Sequence, residues 1–361
     1  MNSRERIAAL LRREIPDRMG IYEHWWPETL RDAWPAQGYP KDAAPEEHFD
    51  FDMVNVGGWF DSSPYPGIVE TLEETDEWIV RRDGRGAALK YWKHKSGTPE
   101  HVSFDCSTSE RWFSHYREPL LAADYSRLGD LEAVKRNMAR ARERGKFCFF
   151  GNLFVFELLR GTVGDTNFLP ALLLEPEWIR DFCQVHLDMW RTMYTRMIEV
   201  CGLPDGFWIY EDFGFSNGLF CSPKVLGDLI MPYERELVEF FHSYDRPVIL
   251  HSCGDVRKAV PLIVEAGFDC LQPMEAKAGC NVVEIAKEFL GRIALMGNID
   301  VVKLGTNDLE TVRQEVEAKV RPLREMRAPY IFHSDHSVPP DIQYATYAYA
   351  VEVFRELGEY A

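Results

Sequence analysis

No Cys-x-x-Cys pair occurs in this chain, although it holds eight cysteines: Cys106, Cys148, Cys183, Cys201, Cys221, Cys253, Cys270 and Cys280. Scattered through 361 residues, they do not make a disulfide framework. The opening Met1-Asn2-Ser3-Arg4-Glu5-Arg6 lacks the apolar stretch of a signal peptide. Nor does any apolar run approach the roughly 20 residues that span a bilayer. The expected compartment is therefore the reducing cytoplasm, with most thiols free and buried as small hydrophobes. Also missing are a Gly-x-Gly-x-x-Gly turn after a strand, a Walker loop and a Gly-x-Ser-x-Gly elbow. Positive charge is scarce: 41 Lys and Arg stand against 58 Asp and Glu, a net charge of −17. Such a surface repels phosphate backbones and anionic lipid, which argues against nucleic acid and membranes as partners. There is no internal repeat and no low-complexity tract.

What is present is a regular alternation. With 46% hydrophobic residues the chain can bury a large core unaided. Residues 3–13 read as an amphipathic helix that places Ile7, Leu10 and Leu11 on one face. Strands are predicted at 19–22, 51–56, 146–150, 206–210, 247–250, 269–271, 293–296 and 330–332. Helices are predicted at 176–200, 223–243, 256–266, 281–290, 308–326 and 340–357. Eight strands alternating with helices favour a parallel sheet closed into a (β/α)₈ TIM barrel. Two short β-type runs, 77–82 and 88–92, flank Asp83-Gly84-Arg85-Gly86 and read as a hairpin. The predicted architecture is one α/β domain over 1–361, with an N-terminal helical extension and a β-hairpin insertion near 67–104.

Polar residues gather just after the strands, which in a barrel means the C-terminal face where catalytic groups collect. In Leu250-His251-Ser252-Cys253-Gly254, residues i and i+2 share one side of a strand, so His251 and Cys253 can aim at one ion. Imidazole and thiolate are natural zinc ligands, and a catalytic zinc takes three protein ligands. His336 is the candidate third ligand, with His333 and Asp335 as neighbouring alternatives. Glu275 is a candidate for a displaceable fourth position. Glu211 and Asp212 follow a strand and can supply a general acid or base. Adjacent residues in a strand point opposite ways, so one of the two faces the pocket, and Asp212 is the choice. His24, Trp25, Trp59, Tyr210 and Asn298 are candidate substrate-binding residues. The aromatic ones suit an apolar, aromatic or quaternary-ammonium ligand. They would equally suit a homodimer interface.

Several stretches carry a resemblance. They are Asp212-Phe213-Gly214, Ser222-Pro223, Met231-Pro232-Tyr233, Pro247-Val248-Ile249-Leu250-His251-Ser252-Cys253-Gly254-Asp255, Glu265-Ala266-Gly267-Phe268-Asp269, Gly297-Asn298-Ile299-Asp300 and His336-Ser337-Val338-Pro339-Pro340. In this order over residues 205–345, they resemble the uroporphyrinogen decarboxylase superfamily, and in particular its zinc-dependent, corrinoid-linked methyltransferase branch. True decarboxylases of that family carry an arginine-rich segment after the first strand. Here that place reads Glu23-His24-Trp25-Trp26-Pro27-Glu28, with no arginine, which disfavours a polycarboxylate porphyrin. The resemblance implies a (β/α)₈ barrel and a zinc site in which His251 and Cys253 match the branch's His-x-Cys, while its later Cys falls at His336. It implies zinc and, on a partner protein, a methylcorrinoid. The alternative readings are a metal-free decarboxylase or lyase, with Asp212 and His336 acting on a small non-porphyrin acid, and a non-catalytic barrel that binds a small ligand.

Overall fold

The computed structural model describes residues 1–95 and 97–360. Eight parallel strands form one sheet: β1 (Gly20–Ile21), β2 (Met53–Gly57), β3 (Phe147–Leu153), β4 (Gly206–Tyr210), β5 (Val248–Ser252), β6 (Cys270–Pro273), β7 (Ala294–Met296) and β8 (Tyr330–Phe332). From β2 to β8 each pairs with its neighbour in chain order, and β8 returns to β1. The result is a nearly closed TIM barrel ringed by helices. All eight strands coincide with those predicted from sequence, to within about three residues. They are legible because both faces are buried, which turns parallel strands into near-continuous apolar runs such as Phe147-Cys148-Phe149-Phe150.

Alternation splits each strand between two cores. Met53, Phe147, Phe149, Trp208, Ile249, Cys270, Ala294, Met296 and Ile331 fill the barrel interior with Tyr22. Their chain neighbours, such as Cys148, Phe150, Phe207, Val248 and Leu250, face the helices. The N-terminal helix, Ser3–Leu11, plugs the floor. Its Ile7, Leu10 and Leu11 join the interior cluster at 0% exposure, each side chain contributing roughly 1.5–3 kcal/mol of apolar burial. Arg4 and Arg13 tie this segment to Asp205 and Asp269, the residues that enter β4 and β6. No helix among the described residues is long and apolar enough to cross a membrane.

The seam between β1 and β2 has no strand ladder, and Asp52 bridges it. Its N–H donates to the Ile21 carbonyl at 2.9 Å, and its carboxylate accepts the Ile21 N–H at 3.0 Å. The same fully buried carboxylate takes Arg6 at 2.8 Å and Arg18 at 2.8 and 2.9 Å.

The insertion after β2 is larger than the predicted hairpin. It is a four-stranded antiparallel meander of Val69–Glu74, Trp78–Asp83, Ala87–Trp92 and Glu100–Phe104. The two central strands were readable, whereas the outer pair is exposed along almost its whole length and carries no buried stripe. The predicted helix 223–243 is two helices, Pro223–Leu229 and Met231–His242. Pro232 cannot donate to the preceding turn, so the helix breaks at Ile230. Helices Leu131–Glu143, Val155–Val163 and Asp165–Leu174 were not anticipated.

Removing one charge from the seam should be costly, because Arg6 and Arg18 would both lose their buried carboxylate and Arg6 would keep only the half-exposed Asp17. Asp52→Asn is expected to lose about 3–5 kcal/mol in urea unfolding. A loss under about 1 kcal/mol would show that the seam does not depend on this pair. A milder, pH-dependent effect is expected at Asp17, whose carboxyl Arg6 pulls from 3.8 to about 2. A depressed carboxyl stabilises above its unfolded pKa and loses that contribution as pH falls through the folded one. The stability gap between wild type and Asp17→Asn should therefore be constant above about pH 4 and close towards about pH 2. Asp17 is half exposed, so the gap should stay near or below about 1 kcal/mol.

Candidate active site

The last inward position of several strands is polar. Tyr210 lies two residues beyond Trp208, His251 beyond Ile249, Gln272 beyond Cys270, His333 beyond Ile331 and His24 beyond Tyr22. The barrel interior is thus apolar below and carries a polar layer at its C-terminal mouth, the layer that alternation along each strand must place there.

The hydrogen bonds in this layer fix its proton positions. His333 Nδ1 lies 2.6 Å from the Ser334 carbonyl oxygen, which can only accept, so this nitrogen carries the hydrogen. Burial holds the His333 pKa down at about 3, so the ring is neutral and Nε2 is a bare acceptor. Into that lone pair point His24 Nδ1 at 3.2 Å and Gln272 Nε2 at 3.4 Å, and both must donate. The amide of Gln272 then turns its oxygen towards His251 Nδ1, 2.5 Å away, which donates to it. The remaining nitrogen, His251 Nε2, faces Cys253 Sγ at 3.4 Å and Asp212 Oδ1 at 3.5 Å, where its lone pair can take a proton or a cation.

Asp212, His251 and Cys253 bring one nitrogen, one sulfur and one oxygen within 4.8 Å of one another. Burial alone would lower the His251 pKa, but the Asp212 carboxylate outweighs it and the net shift is upward. Burial likewise works against ionising Asp212, and His251 with the Cys253 N–H reverses the sign. The Cys253 thiol is pushed well up by burial, then by the carboxylates of Asp212, Glu275 and Asp335. A proton and a cation would compete for the same three atoms.

The turn carrying Cys253 is held from both sides. Asp212 Oδ1 accepts the Cys253 N–H at 2.8 Å, and Glu275 Oε2 accepts the Gly254 N–H at 2.7 Å. Gly254 has φ +78°, and a Cβ there would stand 2.3 Å from the Gly214 backbone. Only glycine lets the two loops approach this closely.

Of the sequence-predicted residues, Asp212, His251 and Cys253 meet in one group. His336 is not in it: its ring stacks on Trp26, 5.8 Å away. Trp59 stacks on Tyr210 at 5.7 Å, and Tyr210 in turn lies 5.3 Å from His251. His24 approaches Tyr210, with 3.5 Å from its Nε2 to the phenol oxygen. Trp25 turns away and stacks on Phe51 in the outer core. Glu211 points away from Asp212 and is fully buried, accepting the Phe156 and Glu157 N–H groups at the start of helix Val155–Val163. Asn298 spends its side chain on the backbone of Met274, Cys280 and Val282. Glu275, besides its turn contact, pairs with Lys277 at 3.0 Å.

Sequence reasoning missed Gln272, Glu23 and Glu157. Gln272 could have been found by carrying the two-residue alternation one step past Cys270. Glu157 offers no such signal, because it reaches the site from a helix that the sequence did not announce. Its carboxyl is raised by burial and by neighbouring Asp212, while Arg160 binds it at 2.7 Å.

Comparison with known proteins gives the family and agrees with the fold. Residues 157–357, just over half of the chain, match the family model described as uroporphyrinogen decarboxylase (URO-D). The chain belongs to the uroporphyrinogen decarboxylase family. Among solved structures, a methyltransferase from Methanosarcina mazei superposes with a TM-score of 0.70 at 14% identity, covering 99% of each chain. At that identity the likeness speaks for the fold. A Prevotella bryantii endo-β-mannanase/endo-β-glucanase covers 89% of this chain and 51% of its own, at 8% identity and a TM-score of 0.39, and carries no weight. No curated protein matches the chain.

The approach of Gly254 to Gly214 explains why the turn after β5 is so constrained, and this can be checked. Gly254→Ala combines a left-handed backbone with a clash against Gly214, and should cost roughly 1–3 kcal/mol. Thermal unfolding of the variant measures it, and an unchanged Tm would mean the two loops are free to separate.

Proposed function

We propose that this protein is a zinc-dependent methyl (alkyl) transferase that moves a methyl group between a small substrate and a corrinoid protein. The observation that carries the reading is the convergence of Asp212, His251 and Cys253, with Nε2 of His251 aimed at the other two. An imidazole nitrogen, a thiol sulfur and a carboxylate oxygen are together a donor set suited to zinc, with room for one further ligand. Asp212 takes the place that His336 holds in the sequence expectation. Family membership and the methyltransferase neighbour support the same reading.

When bound, zinc would supply Lewis acidity towards a thiol, alcohol or amine group of the substrate. The chain's own residues do the rest. Gln272 fixes the tautomer of His251 from behind, as outer-shell partners of metal-binding histidines commonly do. Asp212 both faces the site and pins the Cys253 amide. Trp59 and Tyr210 form a stacked aromatic wall beside His251. Decarboxylation of a small acid is less well supported, because Arg160, whose charge acts on Asp212, is committed to Glu157 and Asp165.

Metal analysis tests the reading. Protein purified without chelator, or reconstituted with zinc, should hold about one zinc per chain. His251→Ala, Cys253→Ala and Asp212→Ala should each lose it, and His336→Ala should retain it. Gln272→Leu, which leaves the ligands in place, should weaken zinc binding by roughly 10–100-fold. Wild-type protein that takes up no zinc would sink the proposal. Retention by Asp212→Ala with loss in His336→Ala would restore His336 as the ligand.

A further inference from the structure

Carboxyl groups outnumber cations at the mouth of the barrel. Asp212, Glu275 and Asp335 act together on the Cys253 thiol. Glu157 adds another carboxyl: it accepts the Asp212 N–H, and its charge reaches His251 as well. Asp165 stands behind it, held by Arg160. The cations that answer this group, Arg160 and Lys277, are both committed. Arg160 donates to Glu157 at 2.7 Å and to Asp165 at 3.0 Å, and its guanidinium lies over the Phe220 ring at 4.4 Å. Lys277 pairs with Glu275 at 3.0 Å. Zinc would not reverse the balance, because the Cys253 thiolate and the Asp212 carboxylate together match its two positive charges. Glu157, Asp165, Glu275 and Asp335 would still face only Arg160 and Lys277.

Glu157 stands where a ligand can meet this excess. It belongs to the helix that leaves β3 at the mouth, and its side chain keeps 22% exposure. Burial and then Asp212 raise its pKa in spite of Arg160, so the ion pair leaves its charge incompletely compensated. The next residue, Leu158, shares a cleft of about 280 Å³ with Leu153 and Trp59. Arg85, on the meander side of that cleft, is taken up by Asp83 at 2.6 Å. Trp59 itself is 46% exposed and stacks on Tyr210, next to His251. The face of an indole attracts a cation and offers nothing to an anion.

We propose that Glu157 sets the charge of the substrate: the site takes a small organic cation, an ammonium-bearing thiol, alcohol or amine, and turns away organic anions. This deepens the methyl-transfer reading and rests on it. The sulfur, oxygen or nitrogen that carries or receives the methyl group stands at Asp212, His251 and Cys253. The ammonium lies within the field of Glu157 and the indole of Trp59. An anionic substrate would find carboxylates around it and no uncommitted guanidinium among the described residues, and like charges brought together suppress the wrong ligand.

Three thiols of similar size test this by calorimetric titration of zinc-loaded, full-length protein: 2-aminoethanethiol, 2-mercaptoethanol and 3-mercaptopropionate. Wild type should bind the amine most tightly and the acid most weakly. In Glu157→Gln, which keeps a hydrogen-bond acceptor for the Asp212 amide, the preference for amine over acid should shrink at least about tenfold. The thiols' own acidities cancel in that comparison between proteins. A Glu157 that only braces the Asp212 amide would weaken all three thiols alike, and that result overturns the proposal. Should the variant not fold, salt decides with wild type alone. Between about 10 mM and 1 M salt the screening length falls from about 30 to about 3 Å, so the amine should weaken and the acid should tighten. Affinities that do not diverge in this way, or an acid that binds as well as the amine, overturn the charge assignment and leave the metal reading intact. Zinc-loaded protein that binds none of the three thiols instead removes the methyl-transfer reading, and the substrate class with it.

Discussion

The mouth of this barrel is organised by one hydrogen bond, from His333 Nδ1 to the carbonyl of the next residue, Ser334. A carbonyl oxygen has no alternative role, so the bond assigns a proton that would otherwise be free to choose. From there each partner has only one consistent state. His24 and Gln272 must donate to His333, Gln272 must accept from His251, and His251 must offer Nε2 to Cys253 and Asp212. A flip of the Gln272 amide would set its oxygen against the bare Nε2 of His333. The network is therefore bound together, and a defect at His333 would be felt at the opposite side of the mouth.

The network can be this dependent on position because the barrel beneath it is rigid. Its inner positions are filled by Phe147, Phe149, Trp208, Ile249 and Ile331, and the floor is sealed by Ile7, Leu10 and Leu11. Close-packed interiors do not slide, so the side chains one step above them inherit fixed directions. Asp52, Arg6 and Arg18 then hold the last seam shut where no ladder of strand hydrogen bonds does so. Precision at the mouth thus begins at the opposite end of the barrel.

Much of this was legible from the residues. The eight strands could be read because parallel strands buried on both faces are apolar throughout, and His251, Cys253 and Asp212 could be singled out because they follow strand ends. The meander's outer strands were hidden, since Val69–Glu74 buries nothing. So was the role of Glu211, because capping a helix requires knowing that helix Val155–Val163 begins beside it. His336 was chosen for its chemistry and because it falls where the resembled branch has its later Cys. Whether a side chain reaches a site depends on the loop after β8, and there the ring of His336 lies on Trp26. Gln272 was overlooked because an uncharged amide announces no chemistry, although every proton at the mouth depends on it.

The charges around Cys253 bear on what the site is for. Asp212, Glu275 and Asp335 all act on its thiol, and Glu157 lies beside Asp212. Carboxylates gathered around a thiol hold it protonated, which is the wrong environment for a cysteine acting alone as a nucleophile. The same surroundings become favourable once a divalent cation shares them, because every group that opposed the thiolate then attracts the ion that stabilises it. His251 follows the same logic: its raised pKa reflects the field of Asp212, and a cation at Nε2 would occupy the position the proton takes otherwise. An arrangement that resists ionisation without a cation and favours it with one suits the proposed metal binding. This is the physical ground for the proposal that Asp212, His251 and Cys253 are metal ligands.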